Sequence, residues 1–372
     1  MKQESSLKYY QKMLKIIGSL TGLFSESDIP YLNYRVTENL FCKAFSAKNL
    51  SRSDVSVDAC MGKVGIGIKT FLNGNGKTLQ KVAEFNKQNI HFRGLKGKEI
   101  VAAVSHLRNE RIDATKRIYG LDAMKYHCIV REKEKIMVYE TDFETIDINK
   151  IHSIKENKNT IQFFDSKNEY LFNITKSTLY KKFITKDVLF EVNVKIIDDP
   201  FEVLEKKFID VKKVYYTQNI KEKPFVILPL FSISADEKSV FSKSGLNQWN
   251  AEGRKRDQNE IYIPIPAWIH KRFPGFFLPR DQNFNLILPD GRMLEAKVCQ
   301  DGSKALMSKH NADLGKWLLR DVLNLKEGQL LTYKKLQEIG LDSVIIERID
   351  SRTYAIDFRS SGTYEQFMEE NE

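Results

Sequence analysis

Cysteine is scarce and scattered. The chain of 372 residues has four, Cys42, Cys60, Cys128 and Cys299, and no CxxC pair. That spacing excludes both a zinc ribbon and a disulfide framework. Proline is sparse too, at nine residues, and no internal repeat or low-complexity tract interrupts the chain. Collagen-like and solenoid architectures therefore fall away. No apolar run approaches the ~18 residues of a membrane span. The best candidate, from Ile16 to Phe24, is short, and Met1-Lys2-Gln3-Glu4 with Lys15 makes a poor signal-peptide flank. No membrane association is expected, and a cytoplasmic location is.

What is abundant is positive charge. Lys and Arg number 59 against 49 Asp and Glu, for a net charge of +10. The excess is uneven. Residues 1–100 hold sixteen basic against eight acidic residues, whereas residues 223–372 hold twenty-one of each. A basic chain of this kind favours a polyanionic partner.

The hydrophobic pattern predicts two regions. Helices are expected at 6–24, 36–45, 78–89 and 97–119, from apolar residues at helical spacing. Strands are expected at Val55–Asp58 and Val64–Phe71, and again at 126–131, 136–140, 160–164, 169–174 and 189–197. This gives an α/β domain, a mixed sheet flanked by helices, over residues 1–205. A Lys-rich connector over 206–224 includes Lys206, Lys207, Lys212, Lys213, Lys221 and Lys223. Residues 225–372 read as a β-rich domain with short helices. There Pro289-Asp290-Gly291-Arg292 is a hairpin turn, Asp-Gly tolerating positive φ. Thr332 is placed to cap a helix that Gly340 ends.

Two motifs carry candidate chemistry in the first domain. Gly76-Lys77-Thr78 looks like the tail of a phosphate-binding loop, but Phe71 stands where its first glycine belongs. Asp58 and Lys69 are the stronger pair. They sit on the two arms of one hairpin, and this geometry resembles the PD-(D/E)xK nuclease core. In that core an aspartate and a second carboxylate hold Mg²⁺, and a lysine orients the attacking water. The resemblance implies Asp58 as a metal ligand and Lys69 as the catalytic lysine. The second carboxylate should lie two residues before Lys69, where Gly67 stands. Glu84, on the expected helix 78–89, is the substitute ligand, so the expected metal pair is Asp58 and Glu84. Glu38 is an accessory catalytic acid, and Asp54 a rival to Asp58. An Asp–Lys pair on a hairpin is equally what a surface ion pair looks like. Arg108, Arg111, Lys116 and Arg117 form a basic run on helix 97–119, open to phosphate contact or to solvent alone.

The second domain carries two polar and basic clusters. The first is Asn247, Gln248, Trp249, Asn250, Arg254, Lys255 and Arg256. The second is Gln300, Ser303, Lys304, Ser308, Lys309, His310 and Asn311. Asn and Gln pair bidentately with adenine, and Arg with guanine. Long blocks around these clusters, including Ser244–Arg256, Glu260–His270, Phe273–Phe277, Leu288–Arg292, Ala296–Ser308 and Leu314–Leu323, resemble the C-terminal domain of NgoFVII-family restriction endonucleases. The resemblance spans about residues 226–360. It implies a pseudobarrel like the plant B3 fold and the EcoRII effector domain, gripping duplex DNA with two arms. In that family the N-terminal part is a phospholipase-D-like nuclease with an HxK motif. None of the six histidines here has Lys two residues later, and His91-Phe92-Arg93 is the nearest approach.

The expectation is thus a type II restriction endonuclease. An N-terminal Mg²⁺-dependent domain would hydrolyse double-stranded DNA near a sequence read by the C-terminal domain, with a separate cognate methyltransferase as companion. A homodimer stays open as its assembly. The alternative is a non-catalytic, sequence-specific DNA-binding protein, a regulator or targeting subunit.

Overall fold

The computed structural model describes residues 2–51, 55–85, 94–208, 223–234 and 237–371. Its contacts divide the chain into two compact units. One is residues 1–109 with 121–220, the other residues 110–120 with 221–372. No helix among the described residues is long and apolar enough to cross a membrane.

The first unit opens with helices α1 (Lys2–Ser19) and α2 (Tyr34–Phe45). The Asn33 side chain caps α2 by accepting the Arg35 N–H at 2.9 Å. Five strands follow or flank one long helix: β1 (Lys48–Asn49), β2 (Ala59–Met61), β3 (Val64–Leu72), β4 (Lys77–Glu84), α3 (Lys98–Tyr119) and β5 (Ala123–Glu132). The remaining elements are β6 (Lys135–Asp142), β7 (His152–Glu156), β8 (Thr160–Phe164), β9 (Glu169–Asn173), β10 (Thr178–Ile184), β11 (Phe190–Asn193) and α4 (Pro200–Phe208).

They form two sheets. The first runs β1-β2-β3-β5-β6-β11 and is antiparallel except where β3 meets β5. A parallel neighbour needs a long crossover, and the chain supplies it through β4 and α3. Helices α1 and α2 cover one face. Tyr10, Leu14, Leu40 and Phe41 pack there on Ile66, Ile68, Ile129 and Val138, all buried. The second sheet, β4-β10-β9-β8-β7, is wholly antiparallel. The first half of α3 covers it, with Val101, Val104 and Leu107 against Ile161, Phe163, Phe172 and Leu179.

Three expectations need correction here. Residues 78–84 are strand, not helix. Leu79, Gln80, Lys81, Ala83 and Glu84 favour helix intrinsically, but β4 pairs with β10 from Lys77↔Ile184 to Glu84↔Thr178, and that ladder overrides propensity. The strand expected at Val55–Asp58 begins only at Ala59. Arg108 is neither a phosphate contact nor a solvated residue. It is 2% exposed and donates to the Tyr126 hydroxyl at 3.0 Å and the Glu144 carbonyl at 3.2 Å. Asp54, His91 and most of the Lys-rich connector, with Lys212, Lys213 and Lys221, lie outside the described residues, while Lys206 and Lys207 end α4.

The second unit is a nearly closed barrel. Its strands are β12 (Phe225–Pro229), a small hairpin of β13 (Ser232–Ser234) and β14 (Glu237–Ser239), β15 (Ile263–Pro264), β16 (Asn283–Ile287), β17 (Met293–Cys299), β18 (Ala305–Ser308), β19 (Leu341–Arg348) and β20 (Thr353–Ser360). Short helices punctuate them: α5 (Ala267–Arg272), α6 (Asp313–Gly315) continuing into a π-helical stretch at Lys316–Val322, α7 (Tyr333–Ile339) and α8 (Thr363–Glu369). The sheet order is β12-β19-β20-β16-β17-β18-β15, parallel only between β16 and β20, and β15 returns beside β12. The Asp-Gly hairpin forms as expected, Phe284↔Ala296 through Ile287↔Met293. Thr332 caps α7 through the Lys335 N–H, and Gly340 ends it at φ 75. Residues 110–120 join this unit because Lys335 holds Glu110 at 2.7 Å, Arg117 donates to the Val322 carbonyl, and Tyr119 donates to Asp357 at 2.9 Å.

Candidate functional site

In the first unit, Asp58 stands at the start of β2. Its N–H donates to the Ile66 carbonyl at 2.9 Å, and its carboxylate accepts the Ile68 N–H at 2.7 Å. Continuing the Ala59↔Ile66 register puts Asp58 opposite Gly67. Lys69 is two residues further on and so shares that face. Lys69 is half-buried, and makes no hydrogen bond or ion pair among the described residues. Its charge nevertheless acts on Asp58.

Glu38 joins them from α2. It is 5% exposed, and Arg35, one turn earlier, donates to it at 3.0 Å. Burial pushes the Asp58 carboxyl above the usual range, against the pull of Lys69, the Ile68 N–H and Arg35. Burial and then the charge of Asp58 push Glu38 up as well. The Cys42 thiol, pushed up to about 11, responds to burial and to both carboxylates. Four groups thus converge: Glu38, Asp58, Lys69 and Arg35. Sequence reasoning missed Arg35, although its three-residue spacing from Glu38 on a helix was a readable signal.

Glu84 does not belong to this group. It ends β4 on the second sheet, pairs with Lys81 at 2.9 Å, and is absent from the charges acting on Asp58. The carboxylate beside Asp58 is Glu38 instead. Gly67 also has a physical reason to lack a side chain. A Cβ there would meet Tyr126 Cδ1 at 2.9 Å and Phe143 Cε1 at 3.0 Å.

A buried and a half-buried carboxylate that repel each other are both hard oxygen donors. They fit Mg²⁺, which binds through one or two carboxylates and keeps several waters. They do not make a closed transition-metal cage, and no group of three or more His, Cys, Asp or Glu side chains gathers among the described residues.

In the second unit the first polar cluster is organised by a buried carboxylate. Glu260 is 2% exposed. Arg254 pairs with it, Arg256 Nε lies at 3.6 Å, and Gln248 Nε2 at 3.4 Å. Arg256 also donates to the carbonyls of Ala251 and Glu252. Arg254, Lys255 and Asn250 are exposed, and Trp249 is half-buried. Asn247 is not on the surface at all. It is fully buried, donating to Phe241 and Leu331 carbonyls and accepting the Leu331 N–H. Its amide is therefore spent inside the fold and has nothing left to offer a base.

The second cluster is split in two. Strand β18 runs through it, leaving Gln300, Ser303 and Lys304 in a loop at one end and Lys309, His310 and Asn311 at the other. The first loop is tightly wound, with Gln300, Gly302 and Ser303 all at positive φ (65, 69 and 55). For Gln300 and Ser303 that region is uncommon. His270, on α5, fixes the turn through the Ser303 carbonyl at 2.9 Å. Ser308 is 1% exposed and ties the other turn through His310 and Leu314, so it too is scaffold. Lys309 is held by Glu295 at 2.8 Å. Lys304, Lys255 and Asn311 are exposed and make no side-chain bond among the described residues.

A family model for the NgoFVII C-terminal B3-like DNA-binding domain matches residues 221–350. No curated protein matches the chain. The second unit is accordingly similar to the DNA-binding domain of a restriction enzyme. That match supports double-stranded DNA as the partner of the second unit. The match begins at residue 221 and says nothing of the catalytic chemistry.

Proposed function

We propose that the chain is a site-specific deoxyribonuclease of the type II restriction class, in which the barrel reads duplex DNA and the first unit hydrolyses it with Mg²⁺. The observation that carries the reading is the grouping of Glu38 on α2 with Asp58 and Lys69 on the β2–β3 hairpin, Lys69 making no hydrogen bond or ion pair among the described residues, in a chain that also holds a domain similar to a restriction-type DNA-binding domain. Glu38 and Asp58 would hold the ion, replacing the expected pair of Asp58 and Glu84. When bound, Mg²⁺ supplies positive charge to the transition state and acidity to water. The Ile68 N–H fixes the Asp58 carboxylate, and Arg35 fixes Glu38. Lys69 places a positive charge beside the attacking water and the scissile phosphate. Removing that charge raises the barrier where negative charge develops. Cutting both strands needs two such sites, which favours two copies acting together. Protection of host DNA calls for a separate methyltransferase, and a cytoplasmic location suits both.

A second reading, a DNA-binding protein without catalysis, is favoured by Gly67, which closes the usual position of the second carboxylate, and by the Arg35 clamp on Glu38. Plasmid digestion separates the two. Discrete Mg²⁺-dependent fragments that vanish with Asp58→Asn and with Lys69→Met support the nuclease. Sequence-specific gel shifts with no cleavage under any divalent metal support the binder.

A further inference from the structure

A second basic feature lies away from the carboxylate cluster, on the other sheet. A cavity of about 460 Å³ opens between β10 and the β8–β9 turn. It falls within the roughly 300–1,000 Å³ of small-ligand pockets. Five lysines line it, Lys77, Lys167, Lys181, Lys182 and Lys186, against two carboxylates, Asp165 and Glu169.

The acids are already engaged. Asp165 accepts the N–H groups of Lys167 and Asn168 at 2.8 and 2.7 Å, and Glu169 pairs with Lys182 at 2.6 Å. Lys167 pairs with Glu144 outside the cavity wall. That leaves three cations. Lys77 and Lys186 are exposed at the mouth with no hydrogen bond or ion pair among the described residues. Lys181 lies deeper, 6% exposed, over the rings of Tyr126 and Phe183, and among the described residues its ammonium makes one hydrogen bond, to the Asp142 carbonyl at 3.4 Å. Burial, and then the Arg108 charge, lower it to about 8. A buried ammonium with one long hydrogen bond and no ion pair within 4 Å among the described residues is poorly satisfied, although the charges of Glu144 and Asp165 reach it. It is a good anchor for an anion.

We propose that this cavity binds a phosphate group, with Lys181 at its floor and Lys77 and Lys186 at its rim. The phosphate belongs either to a nucleic-acid backbone or to a free nucleotide. The inference does not rest on the nuclease reading, since none of these residues is in the Glu38–Asp58–Lys69 cluster.

Melting the full-length protein in inorganic phosphate, against chloride at matched ionic strength, tests it. Phosphate should raise the wild-type Tm and leave Lys181→Met unchanged. The double variant Lys77→Ala/Lys186→Ala, altered only at exposed positions, should weaken phosphate severalfold. Equal shifts in wild type and both variants, or no shift beyond chloride, overturn the proposal. Two further arms identify the source. If Lys181→Met reduces the salt slope of non-cognate duplex binding by about one, the phosphate is a backbone one. If that slope holds and adenosine monophosphate stabilises wild type but not Lys181→Met, the ligand is a free nucleotide. If neither changes, the site does not exist.

Discussion

Gly67→Ala tests why the hairpin lacks its second carboxylate. The added Cβ would lie 2.9 Å from Tyr126 Cδ1 and 3.0 Å from both Tyr126 Cε1 and Phe143 Cε1. Those rings cannot easily retreat. They stack at 4.0 Å with 9° between planes, Phe183 meets Tyr126 edge-on at 5.0 Å, and Arg108 holds the Tyr126 hydroxyl. Overpacking of this kind costs ~1–3 kcal/mol. Because Gly67 is not at positive φ, alanine also gains ~0.4–1 kcal/mol by restricting the unfolded chain. The net expectation is a loss of about 1–2 kcal/mol, read as a lower urea midpoint with an unchanged m-value. Phe143→Leu should relieve part of it, giving a double-mutant coupling of ~1 kcal/mol. A neutral or stabilising Gly67→Ala would refute the steric account. It would reopen position 67 to a carboxylate and weaken the case for Glu38.

Three further outcomes follow from particular contacts. Lys181 is lowered to about 8 from 10.5 on folding, so the unfolded state binds more protons between those values and stability from this group rises with pH across that window. Lys181→Met should therefore be more stable than wild type below pH 8, by ~1–3 kcal/mol, with the gap closing toward pH 10.5; a constant gap in parallel urea melts at several pH values would contradict the assignment. Glu260→Gln frees the Arg254 and Arg256 side chains, at ~0.5–1.5 kcal/mol of ordering each, so anisotropy titrations should show preferred-duplex affinity falling about tenfold while random-duplex affinity holds. Gly315→Ala would set a Cβ 1.9 Å from the Asn259 carbonyl oxygen, a backbone atom that Arg320 helps lock through Asn259 Oδ1 at 2.8 Å and the Gln258 carbonyl at 2.7 Å. A loss of about 4 kcal/mol or more, with red-shifted Trp317 emission, is expected there, and native emission would count against it.

Much of this molecule was legible because its signals are local. Asp290-Gly291 writes its own hairpin, and Thr332 and Gly340 write the ends of α7. The failures share one cause, which is that partners distant in sequence decide. Nothing in Lys77–Glu84 announces β10, a hundred residues later, so helix propensity misleads and Glu84 is wrongly brought to Asp58. Asn247 reads as a surface amide until Leu331, 84 residues on, takes one donor and the acceptor, and the Phe241 carbonyl takes the other donor. Arg108 reads as a surface cation, open to phosphate or to solvent, until Tyr126 and Glu144 take it into the core. The Glu38–Asp58 approach was half legible: both residues were named, but the helix-to-strand packing that joins them is tertiary.

The same accounting narrows which side chains can meet DNA. A polar group already satisfied inside the fold gains nothing from a base and loses its existing bonds on turning outward. By that rule Asn247 and Ser308 are scaffold, and Glu260 acts by holding Arg254 and Arg256 in place. Lys309 must first leave Glu295, a surface pair of small strength. Exposed Lys255, Lys304 and Asn311 start with no such debt, and Gln300 is presented by a backbone in a sparsely populated region. Strain of that kind persists only where surrounding structure enforces it, and His270 against the Ser303 carbonyl is such an enforcement. The two polar clusters therefore differ in kind. The Gln300–Lys304 turn, before β18, is a rigid presenter of a few free groups, and the Ala251–Glu260 segment is an arginine pair aimed by one buried carboxylate. Rigid presentation specifies bases, while free lysines add uniform phosphate attraction. On that basis, sequence preference should reside in Gln300 and Arg254, with Arg256 bracing the segment through its backbone bonds, and salt dependence in Lys255 and Lys304.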